Sequence, residues 1–270
     1  MRIRHATHPD ELPRLDTAGL RDRFLVDELF APGEVRLLLT HHDRVVLGGA
    51  CPDGGSLPLP VPDQLRAETF TQRRELAVIG IGGEGHVEVG GEKFPVARGD
   101  VLYVGRDAGP VTFHGEATYY LLSAPAHSAH PTRLVTRDEA ETLHLGSTAE
   151  ANVRTIRKYV GAAGALSDQL TVGITELAEG SVWNTMPCHT HDRRSETYLY
   201  FELGAGRIMH VCGRPQETRT IVVANQQAVI SPSWSVHFGA GTRNYSFVWS
   251  TAGENMAWDD MDPVATADLR

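Results

Sequence analysis

The chain is built of short apolar runs that stop at turn residues. Residues 34–39, 44–47, 76–81, 86–89, 101–104 and 117–122 form such runs in the first half. Residues 170–176, 197–201, 207–211, 220–223, 228–230 and 245–249 continue the pattern in the second. They favour β-branched and aromatic residues, and Gly, Pro, Asn and Asp separate them. Many short strands at near-regular spacing predict an all-β sandwich or barrel. Helical periodicity is scarce. Residues 16–25 predict one short helix, and Thr136 with Glu139 has the look of a capping box.

The pattern also repeats. Arg73-Arg74-Glu75 leads into a strand and then Gly83-Glu84-Gly85, as Arg193-Arg194-Ser195-Glu196 leads into a strand and then Gly204-Ala205-Gly206. Glu75 to Gly85 and Glu196 to Gly206 are both ten residues. The repeat predicts two similar β-barrel domains, 1–145 and 146–270, with a joint rich in turn residues. On this alignment Glu68 and Phe70 stand where the second half has a histidine pair, and Thr112 lies near the place of His237. The first barrel is therefore expected to hold no metal.

Composition narrows the class. A chain of 270 residues is long enough to bury a sizeable core. The formal charge of −9 argues against nucleic acid, which needs a basic face. It also means that an anionic substrate would depend on local arginines. No apolar run reaches the roughly 18 residues of a membrane span. The start of the chain lacks a signal-peptide core, and three scattered cysteines make no disulfide framework, so a cytoplasmic setting is expected.

The chemistry concentrates in the second half. His189 and His191 are two apart, so in a strand they share a face. Glu196 follows after a short bend, and His237 comes from a later strand. Three imidazoles and a carboxylate suit zinc, iron, nickel, cobalt or manganese. With 13 histidines a chance pair is possible, but the added Glu196 and His237 favour a metal centre, catalytic before structural. Tyr198 and Tyr200 share the parity of Glu196, as core aromatics or as hydroxyl partners of a substrate. His210 is either an acid/base group or a core histidine. Cys188 has the opposite parity and is not expected to ligate. Arg154, Arg157, Lys158, Arg193, Arg194 and Arg219 flank the motif, and a guanidinium is a natural partner for a carboxylate. Of these, Arg154, Lys158 and Arg219 are the candidates for substrate binding, with Tyr198. The acidic tail from Gly253 to Asp262 carries Trp258 and Met261, which suggests that it docks.

The HxH-x4-E pattern with a later histidine resembles the cupin motifs, although Trp234 stands where the usual second motif has glycine. Longer stretches resemble the 5-keto-4-deoxyuronate isomerase family: Met186 to Glu196, Pro215 to Arg219, Ile230 to His237, Gly253-Glu254-Asn255 and Asp259 to Asp262. In the first half Leu15-Asp16-Thr17, Arg73 to Leu76 and Leu102 to Gly105 fit as well. The resemblance implies a bicupin, two jelly-roll barrels with few helices, typically a homo-hexamer. It implies one Zn2+ per subunit on His189, His191, Glu196 and His237. It further implies a ketol-isomerase of pectin and uronate breakdown, acting on the acidic keto-sugar 5-dehydro-4-deoxy-D-glucuronate. For such a reaction Glu217 and His210 are the candidate catalytic groups. A metal-dependent cupin dioxygenase and a non-catalytic sugar-binding cupin are the competing expectations.

Overall fold

A computed structural model describes every residue except Asn255 and Met256. Asn255 of the tail motif therefore lies outside the described residues. Two seven-stranded and two four-stranded sheets dominate, with strand order repeated between them.

The first large sheet runs Arg2–Arg4, Glu34–Thr40, Val46–Cys51, Thr118–Pro125, Arg74–Gly82, Val101–Val104, Arg133–Val135. Its small partner runs Ser56–Pro58, Val111–Gly115, Gly85–Val89, Glu92–Pro95. The second large sheet runs Glu141–Leu145, Arg154–Val160, Thr171–Leu177, Ser246–Gly253, Arg194–Phe201, Gln227–Ser231, Leu25–Val26. Its partner runs Trp183–Asn184, Val236–Gly241, Ile208–Arg214, Glu217–Val223. The five middle strands of the large sheets, and all four of the small ones, correspond place for place. The fold is all-β and of the bicupin class.

The expected helix is present at Thr17–Phe24, where the Gly19 amide donates to the Asp16 carboxylate at 2.7 Å. The capping pair Thr136 and Glu139 makes its hydrogen bonds but closes only a single turn. With no apolar stripe after Ala140, nothing extends it.

The compact units are not separated by one cut near residue 145. One comprises residues 1–5, 28–141 and 158–172; the other comprises 6–27, 142–157 and 173–270. Sequence pattern cannot reveal this, because segments 6–27 and 158–172 belong with chain distant in sequence.

Each unit has its own core. In the first, Leu76, Val78, Val87, Val89, Val111 and Phe113 pack together. In the second, Tyr198, Tyr200, Ile208, Cys212, Ile221, Phe247 and Trp249 do so. Parity corrects the repeat alignment. Leu76 and Val78 face the first core, so Glu75 points to the other side of its strand. There the fully buried Glu75 carboxylate accepts from the amides of Asp168, Gln169 and Leu170, each at 2.7 Å, and from the Tyr103 hydroxyl at 2.8 Å. Glu75 is thus a clamp for residues 168–170 and not the counterpart of Glu196.

Candidate metal centre

Glu196 lies on the inner face of the Arg194–Phe201 strand, opposite Ser231 and Thr251 on its neighbours. His237 is the second residue of the Val236–Gly241 strand of the small sheet. His189 comes from the short His189–Thr190 strand, which pairs with Asp262–Pro263. One ligand atom from each of His189, His191, Glu196 and His237 lies within 4.8 Å of the others.

The contacts are close. Glu196 Oε2 is 3.0 Å from His191 Nε2 and 2.9 Å from His237 Nε2. His237 Nε2 is also 3.2 Å from His189 Nε2. The second ring nitrogens settle the tautomers. His191 Nδ1 donates to the Arg194 carbonyl and His237 Nδ1 to the Ser235 carbonyl, both at 3.0 Å. With a metal bound, each ring can turn an Nε2 lone pair inward. Lone pairs and a buried carboxylate converging on one point repel unless a cation lies between them. The donor set therefore fits a divalent metal, with a backbone carbonyl holding the outer nitrogen of both rings.

Electrostatics show that this point favours positive charge. Burial disfavours the charge on Glu196, but imidazolium charge on His237 and His191 outweighs it and holds the carboxyl well below its usual range, while Glu196 in turn raises His191. Burial and the neighbouring His237 pull His189 down to about 3, leaving it neutral. His189 is the most exposed of the four, half-buried where the others are buried.

The expected companions differ in placement. Tyr198 faces the interior with its ring centroid 5.7 Å from that of His237. Its hydroxyl is 2.7 Å from the Thr185 hydroxyl. His210 is fully buried, with its ring 5.9 Å from that of Tyr198. Arg154 is partly buried and electrostatically coupled to Tyr198. Arg219 pairs with Cys212, which pairs with His237, so the three share one rung and one face. Glu217 sits at the exposed start of its strand, with its carboxylate 2.7 Å from Arg219. Lys158 falls in the first unit, where its ammonium is 2.9 Å from Glu141, so the structure does not gather it with the four ligands. Its strand straddles the two units, which proximity in sequence concealed.

Sequence reasoning missed a buried polar chain behind His210. Asn184 Nδ2 donates to the Tyr200 hydroxyl at 3.3 Å and to the Tyr245 hydroxyl at 2.6 Å. The Tyr245 hydroxyl in turn donates a hydrogen bond to the Val182 carbonyl at 3.1 Å. The Tyr200 proton is left to donate to His210 Nδ1 at 2.8 Å. Burial pulls His210 down to about 3, so its ring is neutral and its single proton sits on Nε2. That Nε2 is buried without a partner among the described residues. No local motif marks this chain; its members meet only through the barrel.

The tail docks, as its aromatic content suggested. Arg193 binds Asp260 at 2.7 Å and Asp262 at 2.8 Å, and Arg194 donates to the carbonyls of Ala257 and Asp260. The Trp258 ring lies 5.0 Å from that of Trp249.

Residues 28–268 match the model of the KduI/IolB family. The chain belongs to that family. A 4-deoxy-L-threo-5-hexosulose-uronate ketol-isomerase of Kineococcus radiotolerans is 51% identical, with all of both chains covered. One from Cereibacter sphaeroides is 49% identical over 99% of this chain and 98% of its own. Among solved structures, an IolB-like protein of Salmonella typhimurium has a TM-score of 0.70 at 17% identity, covering 87% of this chain and 94% of its own. That likeness concerns the fold alone. Among the described residues, no helix is long and apolar enough to cross a membrane.

Proposed function

We propose that this KduI/IolB-family protein is a metal-dependent ketol-isomerase. It converts 5-dehydro-4-deoxy-D-glucuronate to 3-deoxy-D-glycero-2,5-hexodiulosonate in the breakdown of pectin and other uronate polymers. Full-length identity near one half to ketol-isomerases supports the activity. The observation that carries the mechanism is the convergence of three imidazoles and one carboxylate within 4.8 Å. In this reading His189, His191, Glu196 and His237 hold one Zn2+ per subunit. The enzyme works in the cytoplasm as a homo-hexamer, in keeping with its three unpaired cysteines and the family resemblance.

Ketol isomerisation moves a proton between adjacent carbons as the carbonyl shifts, through an enediolate. A bound divalent ion supplies Lewis acidity to the reacting oxygens. The chain's own residues do the rest. His210, neutral with its proton on Nε2, donates to a reacting oxygen and stabilises the developing charge. Tyr200 and Asn184 hold that tautomer. Tyr198 offers a hydroxyl beside the ligands. Arg154 and Arg219 hold the substrate carboxylate by charge-assisted hydrogen bonds. Glu217, paired with Arg219, is the carboxylate that takes the proton from one carbon and returns it to the next.

The test is incubation of the metal-analysed protein with the keto-deoxyuronate, with product identification. His189→Ala and Glu196→Ala proteins that fold are expected to lose both metal and turnover. Folded variants that keep both would overturn the assignment.

A further inference from the structure

The first unit carries a cavity of about 410 Å³ whose wall includes Arg44, Arg73, Arg74 and Arg106, with His41 and His127. Among its described lining residues none is Asp or Glu. In a chain with 34 acidic and 25 basic residues, four arginines around one cavity without a carboxylate run against the overall balance.

The guanidiniums are held in place by neutral groups. Arg74 is only 8% exposed and donates to the Ser123 hydroxyl at 3.0 Å, the Ser123 carbonyl at 2.8 Å and the Arg44 carbonyl at 2.7 Å. Arg106 donates to the carbonyls of Gln72 at 3.2 Å and His127 at 2.7 Å. Arg73 donates to the carbonyls of Leu65 and Arg66. Carbonyl oxygens orient a guanidinium without neutralising it, and among the described residues no carboxylate forms an ion pair with these four arginines. Burial pulls Arg74 down to about 10, against the opposing charge of the neighbouring Glu75.

The second unit shows what an equivalent pair does. Arg74 opens its strand as Arg194 opens the corresponding one, and each follows a second arginine. There Arg193 is met by the carboxylates of Asp260 and Asp262 from the acidic tail. In the first unit no carboxylate among the described residues forms an ion pair with Arg73 or Arg74, and both line the open cavity instead. Arg73 also borders a neighbouring cavity that carries Asp63 and Glu68, so Arg44, Arg74 and Arg106 are the distinctive cations.

We propose that this cavity is a second ligand site, which binds a small molecule bearing carboxylate or phosphate groups. Its volume suits a ligand of sugar-acid or sugar-phosphate size, since small-molecule sites span roughly 300–1,000 Å³. Planar guanidiniums pair bidentately with either anion.

The test is calorimetric titration of the full-length, metal-loaded protein with inorganic phosphate and, separately, glutarate at constant ionic strength. Both are weak chelators, and whichever binds more tightly names the anion class. Saturable binding is expected, weakened about tenfold or more in Arg106→Gln and in Arg44→Glu, in keeping with the loss of one charge-assisted hydrogen bond. Arg44 is exposed and its guanidinium makes no hydrogen bond among the described residues, so Arg44→Glu tests the site even if Arg106→Gln misfolds. Glu196→Gln, which removes a metal ligand, is expected to bind the probes as the parent does. Failure of both probes to saturate would overturn the site. So would Arg44→Glu binding at parental affinity, or binding that vanishes with Glu196→Gln.

Discussion

Tyr200→Phe is the sharpest probe of the polar chain behind the metal centre. The change removes one oxygen and keeps the ring that packs against Tyr245 and Phe247. It deletes the 2.8 Å bond to His210 Nδ1 and the 3.3 Å bond from Asn184. His210 would then have neither ring nitrogen satisfied in a fully buried position. Leaving a buried polar group unpaired costs about 1–3 kcal/mol, so unfolding free energy is expected to fall by that amount. If His210 donates to the reacting oxygen, the loss of its fixed tautomer weakens the transition state by a similar amount. At 1.36 kcal/mol per decade, kcat falls roughly 5- to 150-fold, with KM little changed. The assay is steady-state turnover of the keto-deoxyuronate at pH 7, with metal content measured on the same sample. His210→Gln and the double variant complete a cycle. Because both residues act through one proton, their effects on kcat should be strongly non-additive. Tyr200→Phe with full metal and parental kcat would refute the relay, and so would effects that simply add.

Three further outcomes follow from the same geometry. Chelation of the metal should lower the thermal midpoint and zinc should restore it, since a ligand that binds only the folded state stabilises it; a midpoint unmoved by chelator would argue against the site. Glu75→Gln replaces an acceptor of four hydrogen bonds with a half-donor, leaving two amide or hydroxyl donors facing an NH2 group. A loss of about 3 kcal/mol or more is expected, from two charge-assisted bonds, read by urea unfolding; stability within 1 kcal/mol (about one ordinary bond) of the parent would refute the clamp. His210 falls from an ordinary 6.5 to about 3 on folding. Below pH 6.5 the unfolded chain takes up a proton that the native ring refuses, so stability declines as pH falls through that window. Between pH 7 and 5 this histidine alone removes about 2 kcal/mol, measured as the difference from His210→Gln; an identical pH slope in the two proteins would contradict a buried neutral ring.

Much of the architecture was legible in the pattern of residues. Alternation and turn spacing sufficed for an all-β chain, and the repeated Arg-Arg and Gly-x-Gly signals for two similar halves. The HxH-x4-E text marked three of the converging ligands because strand parity and a short bend are local properties. Tyr198 and Tyr200 followed from the same parity. Local pattern failed wherever an answer depended on partners distant in the chain. Glu75 matched Glu196 by spacing, yet one residue of register turns a side chain to the opposite face. Lys158 stands four residues from Arg154 and still belongs to the other unit. The exchange of residues 6–27 and 158–172, the Asn184–Tyr200–His210 chain and the cluster of arginines around Arg74 exist only once strands remote in sequence lie side by side. The residue order determined which groups carry the chemistry; the tertiary structure decided which face each takes, which proton each holds and which charges go unpaired.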